Sequence, residues 1–139
     1  MMLTAGMCNS FKEELLKAIH NFTTDTFKIA LYTESATLGP ATTVYTTSNE
    51  ASGSGYTAGG NTLAGATVSL SQGIAFVDFS DTTWAASSFT ARGALIYNSS
   101  KANRAVAVFV FDEVKTTSSG NFQIQFPFNN PTDAVVRVS

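Results

Sequence analysis

From residue 27 to the C-terminus the apolar stretches are short, several alternate with a period of two, and turn residues separate each stretch from the next. Phe27, Ile29 and Leu31 alternate with Lys28, Ala30 and Tyr32, the pattern of a half-buried strand. Val68 and Leu70 alternate with Thr67, Ser69 and Ser71, and Gly73 divides that run from Ile74–Phe79, which is apolar on both faces. Phe89–Tyr97 reads as a further strand whose interior Gly93 marks a bulge or a close approach. Ala105–Phe111 has no polar side and predicts a central strand. Phe122, Ile124 and Phe126 alternate with Gln123 and Gln125 until Pro127 stops them, and Ala134–Val138 makes a last short strand. Seven or eight such strands, separated by turns such as Asn98-Ser99-Ser100 and Ser118-Ser119-Gly120, predict an antiparallel β-sandwich or jelly-roll-like fold. Strand and helix do not alternate, which argues against a parallel α/β sheet.

One helix precedes the strands, at about residues 10–22. Ser10 and Glu13 match a capping box, and Phe11, Leu15, Ala18, Ile19 and Phe22 recur at helical spacing. Glu13 and Lys17 stand in the favourable i,i+4 order, and Thr23-Thr24-Asp25 ends the run. The chain therefore divides into an N-terminal tail at 1–9 and one β-sandwich domain at 10–139, with a long loop at about 34–66. That loop holds one plausible strand, Thr42–Thr47, followed by the Gly- and Ser-rich Asn49–Asn61. A loop of this length is functional, ordered by a partner, or disordered. A plain flexible surface loop fits the composition equally well, but Tyr45 and Tyr56 supply aromatic anchors that a linker does not need.

At 139 residues the chain fits one domain. Only 13% of it is charged, about half the roughly 25% usual in a soluble domain. The deficit is filled by 19 Thr and 15 Ser. A surface of this kind repels little and packs closely against other proteins, which points to a component of an assembly rather than a free enzyme. A net charge of −2 and eight Lys and Arg without a run argue against nucleic-acid and membrane-surface partners. No apolar stretch reaches the roughly 20 residues that span a bilayer, and Met1–Met7 lacks the features of a signal peptide. The single Cys8 excludes an internal disulfide and fits assembly in a reducing cytoplasm.

The sequence offers no catalytic constellation. His20 is alone inside the helix, and Cys8 has no companion thiol or histidine motif. One Cys and one His cannot build a familiar zinc site, so no cofactor or metal is expected. Asp78 and Asp81 fall on opposite faces of an extended strand, and Asp112 and Glu113 mark the end of the buried run before a turn. Gly59-Gly60 lacks the following Lys and helix of a phosphate cradle. Trp84 with Tyr56, Phe79, Phe89 and Tyr97 could form an aromatic sugar-binding face, although strand aromatics more often belong to the core.

Four segments carry a resemblance: Thr43–Glu50, Gly53–Gly60, Phe89–Asn98 and Asn121–Pro127. Over these, and from about Phe11 to the C-terminus, the chain resembles small virion structural proteins of tailed bacteriophages, of the kind that decorate or cement capsids. The resemblance implies a non-enzymatic protein on the capsid exterior, assembled in the host cytoplasm, that bridges subunits of the major capsid protein. It also implies an oligomer, a dimer or trimer, at a lattice symmetry position. The expected contact elements are the 1–9 tail and the Asn49–Asn61 loop, with Met7, Tyr45, Tyr56, Gly59, Gly60 and Arg92 as contact residues. Trimming the tail should then weaken attachment and leave the fold intact. The alternative is a tail- or fibre-associated virion protein that binds a host-surface glycan.

Overall fold

The alternation that begins at Phe27 produces a mainly β, antiparallel, sandwich-like fold with a single short helix. The computed structural model describes residues 2–126 and 136–138. In chain order these form β1 (Met2–Leu3), β2 (Gly6–Met7), α1 (Asn9–Leu16), β3 (Phe27–Tyr32), β4 (Thr37–Leu38), β5 (Asn61–Thr62) and β6 (Thr67–Ser71). There follow β7 (Ile74–Asp78), β8 (Thr82–Ser87), β9 (Thr90–Asn98), β10 (Arg104–Thr116), β11 (Gly120–Ile124) and β12 (Val136–Val138). Pro127 and the first two residues of the expected last strand, Ala134 and Val135, lie outside the described residues.

A five-stranded sheet, β2-β10-β9-β3-β5, forms the centre, with a three-stranded sheet β12-β7-β6 and a pair β11-β8. These pairings are antiparallel, whereas the two-residue pair β1-β4 is parallel. Strand β9 is buried from Gly93 to Asn98 because both of its faces are covered. On the face bearing Gly93 and Tyr97 lie Leu3 and the 34–66 segment; the Tyr97 hydroxyl donates to the Gly59 carbonyl at 2.7 Å. On the other face Asn98 meets His20, and Ala94 lines a groove with Phe109 and Phe122. A Cβ on Gly93 would stand 2.8 Å from the Phe109 carbonyl and 3.2 Å from a Leu3 methyl, so this glycine marks a close approach. Phe22 stacks on Phe27 at 4.4 Å and meets Phe11 edge-on at 6.0 Å, which seats the helix on the sheet. Each fully buried Phe contributes about 1.5–3 kcal/mol of transfer free energy.

Several expectations are corrected. The helix spans Asn9–Leu16 and stops well short of residue 22. Ala18 adopts φ 59°, while the Ala18 N–H donates to Leu15 and the Ile19 N–H to Glu14, a Schellman ending made without glycine. The Ser10–Glu13 capping box does not form: Cys8 is the N-cap, no side chain caps it, and the Ser10 hydroxyl is buried without a partner. The Glu13–Lys17 pair does form, at 3.0 Å. Thr42–Thr47 is not a strand and makes only a bridge from Val44 to Arg104. Asp112 and Glu113 do not follow a finished strand. They ride an irregular stretch of β10, between the Val110↔Gly93 and Lys115↔Ala91 pairs, and both bond to Lys115.

The 1–9 segment is woven into the fold from Met2 onward and is not a tail. Met7 pairs with Ala107, Thr4 N–H donates to Leu38 at 2.8 Å, and Cys8 N–H donates to Val106 at 2.9 Å. Leu3 and Cys8 belong to the core.

Candidate functional site

From Ser35 to Val77 the sequence holds a single charged residue, Glu50. The 34–66 segment folds around it. Glu50 bridges to Tyr32, and the next residue donates its N–H to the Leu31 carbonyl at 2.8 Å, which fixes the backbone against β3. The carboxylate then accepts three hydrogen bonds. Tyr45 donates to Oε1 at 2.6 Å; Tyr56 and the Gly59 N–H donate to Oε2 at 2.5 and 2.8 Å. The Tyr56 oxygen also accepts the Leu31 N–H at 2.9 Å, and the Tyr32 hydroxyl donates to the Thr46 carbonyl at 2.6 Å. Tyr45 stacks on Tyr97 at 4.6 Å. All four tyrosines of the chain thus meet at this carboxylate or beside it.

Burial, with the Glu50 anion adding to it, pushes the Tyr97 phenol up to about 12 and those of Tyr32 and Tyr56 well above their ordinary range. Burial also raises Tyr45, as does its own hydrogen bond to Glu50. These phenols are neutral donors at physiological pH, as a carboxylate acceptor requires. Gly60 closes the turn at φ 78°, and a Cβ there would stand 1.8 Å from the Ile29 carbonyl. No other residue fits that position.

A second polar network joins the helix to the sheet. Asn98, fully buried, donates through Nδ2 to His20 Nδ1 at 3.0 Å and to Asp25 at 2.8 Å. Because Nδ1 accepts, the network places the His20 proton on Nε2, which donates to Glu14 at 2.8 Å. Arg104 binds the other Glu14 oxygen and Lys101 binds Asp25, each at 2.8 Å. Both ring nitrogens are thus engaged by Glu14 and Asn98, and the network ties the helix to β9 and β10.

Burial alone would raise the Glu14 carboxyl, but hydrogen bonds from His20 and Arg104 outweigh it and hold the group below its ordinary value. Asp25 is likewise held down, to about 2, by Lys101, Asn98 and the Asn21 N–H against the opposing effect of burial. Depressed carboxyls stabilise the fold above their unfolded pKa and lose that contribution as pH falls through the folded value; phenols raised from 10.0 lose theirs as pH climbs past it. Urea midpoints should therefore be flat between about pH 5 and 9 and fall on both sides, with the acid limb reaching down to about pH 2. An acid limb unchanged by Asp25→Asn would contradict this assignment.

The expected contact residues have these places. Tyr45, Tyr56 and Gly59 come together on Glu50, with Gly60 beside them. Met7 lies apart in β2, half-buried. Arg92 is half-buried in β9 and donates from Nε to the Phe111 carbonyl at 2.7 Å. Tyr56, expected to face a partner, packs its ring against Trp84 and Phe89. The possible sugar platform is corrected, since Trp84, Phe79, Phe89 and Tyr97 are all core residues. Cys8 is buried, which pushes its thiol up to about 11, so it acts as a packing group.

A groove of about 840 Å³ runs between the outer half of β10 and β11, lined by Phe109, Phe111, Ile124 and Phe126 among others. Among the described residues no three His, Cys, Asp or Glu gather as metal ligands. No helix there is long and apolar enough to cross a membrane. Comparison with family models, curated proteins and solved structures gave no match to this chain.

Proposed function

We propose that this protein is a non-enzymatic structural component of a tailed-phage virion, which decorates the capsid exterior and bridges subunits of the major capsid protein. One observation carries the reading. The stretch from Ser35 to Val77 has one charge, and that charge is engaged by three internal donors. What this region of the chain presents is Thr, Ser, Ala and Gly with exposed Val44, Val68 and Leu70. Such a surface has little to keep it apart from a neighbour and gains most when another protein covers it. Repetition over a symmetric shell turns modest contacts per copy into strong attachment.

The test is to add purified protein to shells that lack it and measure co-sedimentation. Saturable binding is expected, and because uncharged contacts are not screened it should change little between about 0.1 and 1 M salt. Absence of binding, or binding abolished by salt, would contradict the proposal.

A further inference from the structure

Strand β6 ends the three-stranded sheet, and no backbone group of its outer edge has a partner among the described residues. Its register with β7 pairs Ser71 with Ile74 across Gln72 and Gly73, at φ 54° and 76°, a two-residue hairpin turn. In such a hairpin the closing pair is hydrogen-bonded, so Ser71, Ser69 and Thr67 bond inward. The N–H and C=O of Val68 and Leu70 therefore point outward.

We infer that β6 pairs antiparallel with β6 of a second copy about a two-fold axis through Ser69. In that register Val68 lies opposite the second copy's Leu70, and the reverse, so each pair exchanges two backbone bonds. The side chains fit the same register. Val138, Ala75 and Leu70 form one row across the sheet, and Val136, Val77 and Val68 form the neighbouring row on the same face. Pairing joins the first row of one copy to the second row of the other, which gives a six-residue apolar row on each side of the axis. It also covers Leu70 and Val68, which are 75% and 52% exposed in the single chain. On the opposite face uncharged Ser69 meets its own copy, where a like charge would repel.

Edge strands are ordinarily blunted by Lys, Pro, a bulge or shortness, and Thr67-Val68-Ser69-Leu70-Ser71 has none of these. The opposite edge of the sheet among the described residues, β12, carries Arg137. This inference names the surface behind the oligomeric aspect of the proposed role, and it stands on the sheet edge whether or not a capsid is the partner.

Sedimentation equilibrium of the full chain tests it. The expected result is twice the 14.7 kDa chain mass, with Val68 and Leu70 amides protected from hydrogen exchange. Leu70→Lys should give the monomer and expose those amides. Leu16→Lys, at a side chain 92% exposed on the helix, should leave the dimer intact. A wild-type monomer, a trimer, or a dimer that keeps its mass in Leu70→Lys would overturn the pairing. Shell binding is read separately: a monomer that still decorates shells overturns the pairing alone, and a dimer that ignores shells overturns the capsid role alone.

Discussion

Glu50→Ala is expected to lower the unfolding free energy by roughly 3–5 kcal/mol, since three donors lose bonds to a charged acceptor worth about 1.5–3 kcal/mol each, offset in part by water. The orphaned groups are the Tyr45 and Tyr56 hydroxyls and the Gly59 N–H. Loss would spread, because the Gly59 carbonyl accepts from Tyr97 and the Tyr56 oxygen accepts from Leu31. The segment from 45 to 60 should come loose from β3, so the near-ultraviolet tyrosine signal should collapse before the sheet melts. Glu50→Gln keeps one acceptor but turns an amide NH₂ onto existing donors, so it should recover only a fraction of the loss. Urea denaturation with near-ultraviolet circular dichroism checks both variants. A loss under about 1 kcal/mol, with the tyrosine signal intact, would show that Glu50 does not organise the loop.

Deleting residues 1–8 is expected to leave no cooperatively folded protein. The deletion removes Leu3 and Cys8 from the core, which are 7% and 0% exposed, together with β1, β2 and the Cys8 N–H bond to Val106. It also uncovers the edge of β10 that β2 pairs. Two lost core side chains and several buried bonds cost on the order of 5 kcal/mol or more, against a whole-domain stability of about 5–15 kcal/mol. Trimming the segment to test attachment would therefore report on folding. Differential scanning calorimetry decides: a soluble truncated chain that melts within about 2 °C of the parent would contradict the structural role given to these residues.

The sequence showed those elements whose burial pattern is expressed in side-chain type. Phe27–Tyr32 is found as a strand, but it is not half-buried: Ala30 and Tyr32 are covered as completely as Ile29 and Leu31, because other elements pack on both faces. Ala105–Phe111 lies inside β10, fully buried from Ala105 to Val108 and half-buried from Phe109 to Phe111, where it lines the groove. Thr82–Ser87 gave no sign, since Trp84 is its one large apolar residue among Thr, Ala and Ser. Thr42–Thr47 gave a false one: its β-branched residues suit a strand, but the segment pairs only through the Val44–Arg104 bridge at the start of β10 and leaves Val44 46% exposed. The helix outran its true end because Ala18 takes a left-handed conformation that composition does not announce.

Some of the site was legible as well. Tyr45 and Tyr56 stood out as anchors in an otherwise bland loop, and the structure gives both an internal anchoring role. The residue they hold was missed. Glu50 carries no motif, and the signal that could have found it was its isolation, a lone acid in an uncharged stretch with tyrosines five residues before and six after. The Glu14–His20–Asn98–Asp25 chain was invisible because it joins residues far apart in sequence.

An exterior with so little charge gains its meaning from whatever covers it. Quantitative mass spectrometry of purified particles measures this most directly. The proposed role predicts the protein at a copy number near that of the major shell subunit, and its absence from particles, or a handful of copies confined to one vertex, would contradict it.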